Sequence, residues 1–229
     1  MAKIHEGKND MMNQAKSPPS DELSATELRI LKTARELFLS EGFSAVSTDR
    51  LSRDAGVSKT SIYKYFGDMG GVLSTVVRRE GDIYELHFDH LPGTAPDYWE
   101  TLTGFGSRLL TLLNNGFCIQ FDRMLHEEAR NHPDLVRRFY DAAYGRGHVE
   151  VTRFIAHGQT RGFVSKPQAA DHLADHLLCM WDGLSFVRAR LGLTDKPFAN
   201  PEQWARQCVE TLFAEDFPAK KALPHVGLR

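Results

Sequence analysis

The 229-residue chain sets 28 Lys and Arg against 30 Asp and Glu, a formal net charge of −2, so any surface that attracts a polyanion has to be local. A hydrophobic share of 41% and a charged share of 25% are ordinary for a soluble globular protein and exclude a compositionally disordered or collagenous chain. No apolar run approaches the length of a membrane span and no secretory leader pattern opens the sequence, so a cytoplasmic protein with no membrane partner is expected.

Residues 1–22, MAKIHEGKNDMMNQAKSPPSDE, are polar, broken by Pro18-Pro19 and without a sustained period, which predicts a disordered tail. Lys3, Lys8 and Lys16 have the composition of an arm that reaches a minor groove, but a solvated tail is the expectation. From Ser24 the pattern turns helical. Ser24 and Glu27 form a capping box, and Ile30, Ala34, Leu37 and Phe38 share one face until Gly42. Phe43 and Val46 then cover the base of a three-helix head.

The next stretch, Ser47 to Phe66, reads STDRLSRDAGVSKTSIYKYF. Two short helical patterns meet at Ala55-Gly56-Val57-Ser58, where Gly56 ends the first by a positive φ and Ser58 caps the second. Leu51, Ala55 and Val57 pack on Ile62 and Phe66. The opposite face of the second helix carries Lys59, Thr60, Ser61, Tyr63, Lys64 and Tyr65: hydroxyls, ammonium groups and phenols with no carboxylate. Such a face suits a partner covered in acceptor oxygens, and the arrangement is a helix-turn-helix. Lys59 and Thr60, at the helix start, are placed for base edges, while Ser61, Tyr63 and Tyr65 have hydroxyls for phosphates and Lys64 serves either. Asp49 is the one acid near this surface.

With its cap and its Leu51, AGVSKTSIYKYF resembles the DNA-binding domain of the TetR family of one-component transcriptional regulators, a match running from about Leu23 to Leu86. The resemblance implies an all-α protein: an N-terminal three-helix helix-turn-helix DNA-binding domain and a larger C-terminal helical domain for ligand binding and dimerisation. It also implies that Thr48 touches a phosphate and that Arg50 adds a charge there. Gly67-Asp68-Met69-Gly70-Gly71 opens a fourth helix through Val72, Leu73, Val76, Val77 and Ile83. Family members commonly have Lys where this chain has Met69, so one charge-assisted phosphate contact is missing. Gly70 and Gly71 lack the Lys-Ser/Thr ending of a nucleotide loop, and no nucleotide or other cofactor is expected.

His87, His90, Pro92-Gly93 and Ala95-Pro96 lie in a connector. The expected division is a tail over 1–22, a DNA-binding domain over 23–90 that includes the linking helix, a helical body over 97–217 and a tail over 218–229. Five helices are predicted in the body. The first runs to Asn114-Asn115-Gly116; the second holds Arg123 and Glu127 as i, i+4 partners; a long third runs from about Asp134 to His157; the fourth opens at Lys166-Pro167; the last starts at Pro201. No strand or internal repeat appears. This body resembles the C-terminal half of AcrR/AefR-type TetR regulators.

Within it, Phe105, Phe117, Phe121, Met124, Phe139, Tyr140, Met180, Trp181 and Phe186 suffice to line an apolar cavity between helices. His126, His148 and His157 are candidate polar contacts. The last two long helices resemble those that pair with their two-fold mates, with Leu173, Leu177, Trp204, Val209 and Leu212 as interface candidates. Cys118, Cys179 and Cys208 are odd in number and set in apolar surroundings, which predicts buried, reduced thiols. His172, His176 and Cys179 stand at i, i+4 and i+7, but such a trio recurs by chance and no metal is expected.

No Ser-His-Asp order or local pair of acids supports catalysis. The expectation is a homodimeric repressor, released from a palindromic double-stranded DNA operator by a small apolar or aromatic effector. The second reading, resting on Met69 and Asp49, is a ligand-binding or interaction module on the same fold that has lost DNA binding.

Overall fold

Serine, threonine, aspartate and asparagine caps set where most helices begin in the computed structural model, which describes residues 23–218. Among these residues there are ten α-helices and no strand. Both expected tails, apart from Pro218, lie outside the described residues, and so do Lys3, Lys8 and Lys16.

The N-terminal helices are α1 (Ala25–Glu41), α2 (Thr48–Ala55), α3 (Lys59–Phe66) and α4 (Met69–Ile83). The Ser24–Glu27 capping box is closed in both directions, and Gly56 at φ 63° and ψ 42° supplies the left-handed residue between α2 and α3. Ser58 caps α3, with its Oγ accepting the Ser61 N–H. Ile30, Ala34, Phe38, Leu51 and Ile62 are each at most 2% exposed and lock α1 to α3 into one core.

The body contains six helices rather than five: α5 (Ala95–Leu113), α6 (Gly116–Glu128), α7 (Pro133–Ala142), α8 (Tyr144–Thr160), α9 (Ala170–Arg190) and α10 (Pro201–Leu212). The single long helix predicted from Asp134 to His157 is broken at Ala143, at φ −112° and ψ −84°. Gly145 and Gly147, both poor helix formers, follow the break. The pairing of Arg123 with Glu127 is replaced by a longer reach. Arg123 donates through Nε to the Arg190 carbonyl and through Nη2 to the Ala189 carbonyl, both at 2.7 Å, and so caps the end of α9.

The apolar core of α1 to α4 continues into α6 and α7 through Phe117, Phe121, Met124 and Leu135. A second core unites α5, α8, α9 and α10. Its centre is a stack of rings, Phe105 on Phe88, Phe88 on Phe154 and Phe154 on Tyr98, with centroids 4.7, 3.9 and 4.7 Å apart. Tyr98 fits only because residue 158 is glycine, since a Cβ there would lie 2.4 Å from the phenol oxygen.

Helix α9 is also broken, at Gly183, whose φ of 52° and ψ of −167° belong to a region open essentially to glycine. Two side chains of α10 hydrogen-bond carbonyls beside this break. Trp204 Nε1 donates to the Trp181 carbonyl at 3.3 Å, and Cys208 Sγ to that of Met180 at 3.4 Å.

Candidate nucleic-acid interface and ligand cavity

Helix α3 is anchored by fully buried Ile62, with Phe66 partly buried against the same core, and its opposite side faces outward. Lys59, Thr60, Tyr63, Lys64 and Tyr65 are exposed, and Ser61 is half-buried with its hydroxyl 2.9 Å from that of Ser58. The Tyr63 hydroxyl donates to Thr48 Oγ1 at 3.4 Å, which joins the start of α2 to the middle of α3. Two expected cations are engaged. Lys59 pairs with Asp49, and Arg50 donates from Nε to Asp54 at 2.6 Å while its Nη2 lies 3.1 Å from Glu41. The charge of Arg50 is thus balanced by two carboxylates instead of being offered to a phosphate.

Because Lys59 must leave Asp49 before it can reach a base or phosphate, Asp49→Asn is expected to raise affinity for duplex DNA. An exposed pair of this type contributes at most about 1 kcal/mol, so the gain is about fivefold at most. Fluorescence anisotropy with labelled duplexes at two salt concentrations measures it.

Asp68 accepts the Gly71 N–H at 2.7 Å as the cap of α4 and also takes Arg138 Nη1 at 2.5 Å. The hydrogen bond from Arg138 holds this carboxyl below its ordinary range. The adjacent glycines are packing devices, not a phosphate loop. A Cβ on Gly70 would lie 2.7 Å from Arg138 Nη1, and one on Gly71 would lie 1.8 Å from the carbonyl oxygen of Phe66, the last residue of α3.

A cavity of about 330 Å³ opens between α4, α5, α6, α7, α8 and α9. Phe105, Phe117, Phe121, Phe139, Tyr140 and Phe186 line it as the sequence suggested. Met124, Met180 and Trp181 do not; Trp181 is fully buried against Gly106, and Met124 belongs to the core shared with the N-terminal helices. Sequence reasoning missed the polar wall, Asp122, Tyr144 and Asp182. Asp122 is 5% exposed; its Oδ1 accepts from the Tyr144 hydroxyl at 3.2 Å, and its Oδ2 from Arg190 Nη1 at 3.3 Å. Loss of water and the two nearby carboxylates push the Tyr144 phenol up, so it remains a donor. Burial pushes the Asp182 carboxyl up to about 6. The Asp182-Gly183 pair inside an otherwise helical pattern was the signal for this wall.

Of the three candidate histidines, His148 alone borders the cavity, with Nε2 3.1 Å from Asp175. His126 Nδ1 lies 2.8 Å from the Asp122 carbonyl and His157 Nε2 lies 2.8 Å from that of Pro92. The thiols differ from expectation in one case: Cys208 is buried and Cys118 half-buried, but Cys179 is exposed. Burial pushes Cys118 up to about 12 and Cys208 up to about 11, which leaves both as inert thiols. Among the described residues no group of three or more His, Cys, Asp or Glu side chains is placed to hold a metal ion, so His172, His176 and Cys179 form no such site. No helix among them is long and apolar enough to cross a membrane.

The interface candidates divide. Leu173, Leu177 and Val209 are at most 1% exposed within the protomer and belong to its own core, so they have no surface to offer a partner. Trp204 is 39% exposed, and Leu184 and Leu191, which periodicity did not single out for an interface, are each 69% exposed. Leu212 is half-buried against the core.

Residues 30–76 match the family described as bacterial regulatory proteins, tetR family, and residues 100–215 match the AefR-like transcriptional repressor C-terminal domain. An HTH-type transcriptional regulator of Staphylococcus aureus strain USA300 is 30% identical over 63 residues, which are 28% of this chain and 34% of that protein. The chain thus spans about a third of the length of the curated relatives it matches. A TetR regulator from Agrobacterium tumefaciens superposes with a TM-score of 0.69 at 21% identity, covering 84% of this chain and 95% of that one. The flavonoid-responsive regulator FrrA superposes with a TM-score of 0.66 at 22% identity over 85% and 98%. The fatty acid degradation regulator FadR from Bacillus halodurans gives 0.61 at 13% identity over 84% and 96%. At these identities the superpositions speak for the fold.

Proposed function

The chain belongs to the TetR family of transcriptional regulators, DNA-binding proteins of helix-turn-helix type, and we propose that it works as a homodimeric repressor whose release from a palindromic operator is driven by a small ring-bearing effector. The observation that carries the reading is α3 itself. A helix held by Ile62 presents Tyr63, Lys64 and Tyr65 together, with no carboxylate of its own, on a mount fixed by three capped helices. In the proposed complex Lys59 and Thr60 meet base edges, and Thr48, Ser61, Tyr63, Lys64 and Tyr65 hold phosphates. Arg50 contributes by fixing α2 rather than by contact.

The aromatic lining favours a molecule with rings, in keeping with a fold shared with a flavonoid-responsive regulator. Leu184, Leu191 and Trp204 are the proposed dimer surface, since they are large apolar side chains left exposed on α9, at its C-terminal end and on α10. Two copies then set two α3 helices on one duplex, and an effector shifts the population to a spacing that no longer fits.

Footprinting on the DNA upstream of the protein's own reading frame tests this. The expected result is a pair of protected half-sites about 34–36 Å apart centre to centre, or a multiple of that. Binding that unrelated competitor DNA removes at equal mass would overturn it. The pairing of Lys59 with Asp49 favours one second reading, a module of this fold that no longer binds DNA.

A further inference from the structure

We infer that the cavity takes an apolar, ring-bearing molecule carrying one protonated amine, and that Asp182 receives the amine; this rests on the reading of the cavity as the effector site. Asp182 sits at the last position before the break in α9, and it borders the cavity. Its Oδ1 is out of solvent, and no donor among the described residues reaches it. The neighbouring carboxylate, Asp122, already takes the Tyr144 hydroxyl and the guanidinium of Arg190, with His126 Nδ1 3.4 Å from its Oδ2. Arg190 therefore faces two acids and gives its N–H to one of them.

The other charged groups around the cavity are matched. Arg146 holds Asp82 at 2.6 Å, Glu80 holds Arg35 at 2.6 Å, and His148 lies 3.1 Å from Asp175. Asp182 is left as the unmatched carboxylate. Taking a carboxylate out of water without a partner is costly, and its elevated pKa is the mark of that cost. A cation brought by the ligand restores what burial removed. The remaining wall suits such a molecule: Phe105, Phe139 and Phe186 offer ring faces, and Tyr140 stacks on Tyr144 with centroids 6.2 Å apart.

The probes are 1-naphthylmethylamine, which is protonated at pH 7.5, its neutral counterpart 1-naphthalenemethanol, and the anion 1-naphthoate. Calorimetric titration is run on the full chain and on Asp182→Asn, without DNA. The amine is expected to bind the unaltered protein about tenfold to a hundredfold more tightly than the alcohol, with the anion weakest. In Asp182→Asn the amine should fall to the level of the alcohol, while the alcohol changes less than about threefold. Equal binding of amine and alcohol, or a preference that survives in Asp182→Asn, overturns the assignment and leaves the effector cavity standing. Failure of all three probes to bind overturns both.

A stability measurement guards against a folding artefact. The carboxyl titrates near 6 in the fold against 3.8 ordinarily, so folding takes up a proton between those values. The cost of ionisation is fully present above the higher value and absent below the lower. Asp182→Asn should therefore melt at a higher temperature than the unaltered protein at pH 8, with the difference closing as the pH falls below 3.8. Asp122, Tyr144 and Arg190 face the same group and are unaltered in both proteins.

Discussion

Replacing Lys64 and Tyr65 together by Ala is expected to lower operator affinity by about a hundredfold or more, with the melting temperature nearly unchanged. Neither side chain supports the head. Lys64 is exposed, Tyr65 is 39% exposed, and their main mutual contact is the ammonium 5.6 Å from the phenol ring centroid. Ile62, fully buried, and the Ser58 cap hold α3 in place without them. What the double variant removes is a charge and a hydroxyl aimed outward, on a surface where Lys59 and Arg50 are occupied by acids. Removing a cation from a phosphate also reduces the dependence of log affinity on log salt by about one. Anisotropy titrations at several salt concentrations, with circular dichroism as the fold control, read both effects. If the protein were a module that had lost DNA binding, the variant and its parent would behave alike.

Gly71→Ala is the second large effect, and it acts through position instead of contact. The added methyl would stand 1.8 Å from the Phe66 carbonyl oxygen, a backbone atom that cannot rotate away. Either α4 retreats or the end of α3 is displaced, and the Asp68 cap on the Gly71 N–H is stretched. Overpacking of this kind costs about 1–3 kcal/mol, and here it falls between the reading helix and its support. The expected outcome is a lower melting temperature together with at least a tenfold loss of operator affinity, a loss that added salt does not explain. Gly81→Ala on the same helix is the control. Nothing lies within 4 Å of its added methyl, and exchanging glycine for alanine in a helix should stabilise by about 0.5–1 kcal/mol.

The parts of this molecule that could be read from sequence are those whose causes are local. Caps, the glycine turn and the outward polar face of α3 depend on residues within a turn or two of one another, so Ser24, Gly56, Ser58 and Ile62 take the roles their spacing implies. The all-helical architecture follows from the same periodicity. The cavity is different, because its polar wall is assembled by tertiary packing. Asp122 comes from α6, Tyr144 from α8, and Asp182 and Arg190 from α9, and no window of sequence holds them together.

Periodicity also says which faces are apolar without saying what covers them. Leu173, Leu177 and Val209 turned inward within the protomer, whereas Leu184 and Leu191 turned out. Met180 and Trp181 were chosen for the cavity by residue type, but the face of α9 that lines it is Asp175, Leu178, Cys179 and Asp182 at helical spacing, and Met180 and Trp181 fall off that face. The division of one expected helix at Ala143 rests on Gly145 and Gly147, which count against a helix only when a competing arrangement is available.

Helix α7 is short, ten residues or about 15 Å of stiff rod, and it has different neighbours on its two sides. Phe139 and Tyr140 look into the cavity, while the residue just before them, Arg138, grips Asp68 at the root of α4. Crowding on one side of such a rod has to emerge as torque on the other. On the proposed repressor reading, that load reaches α4 both through the Arg138–Asp68 pair and through Leu135, which α7 buries in the core it shares with the N-terminal helices.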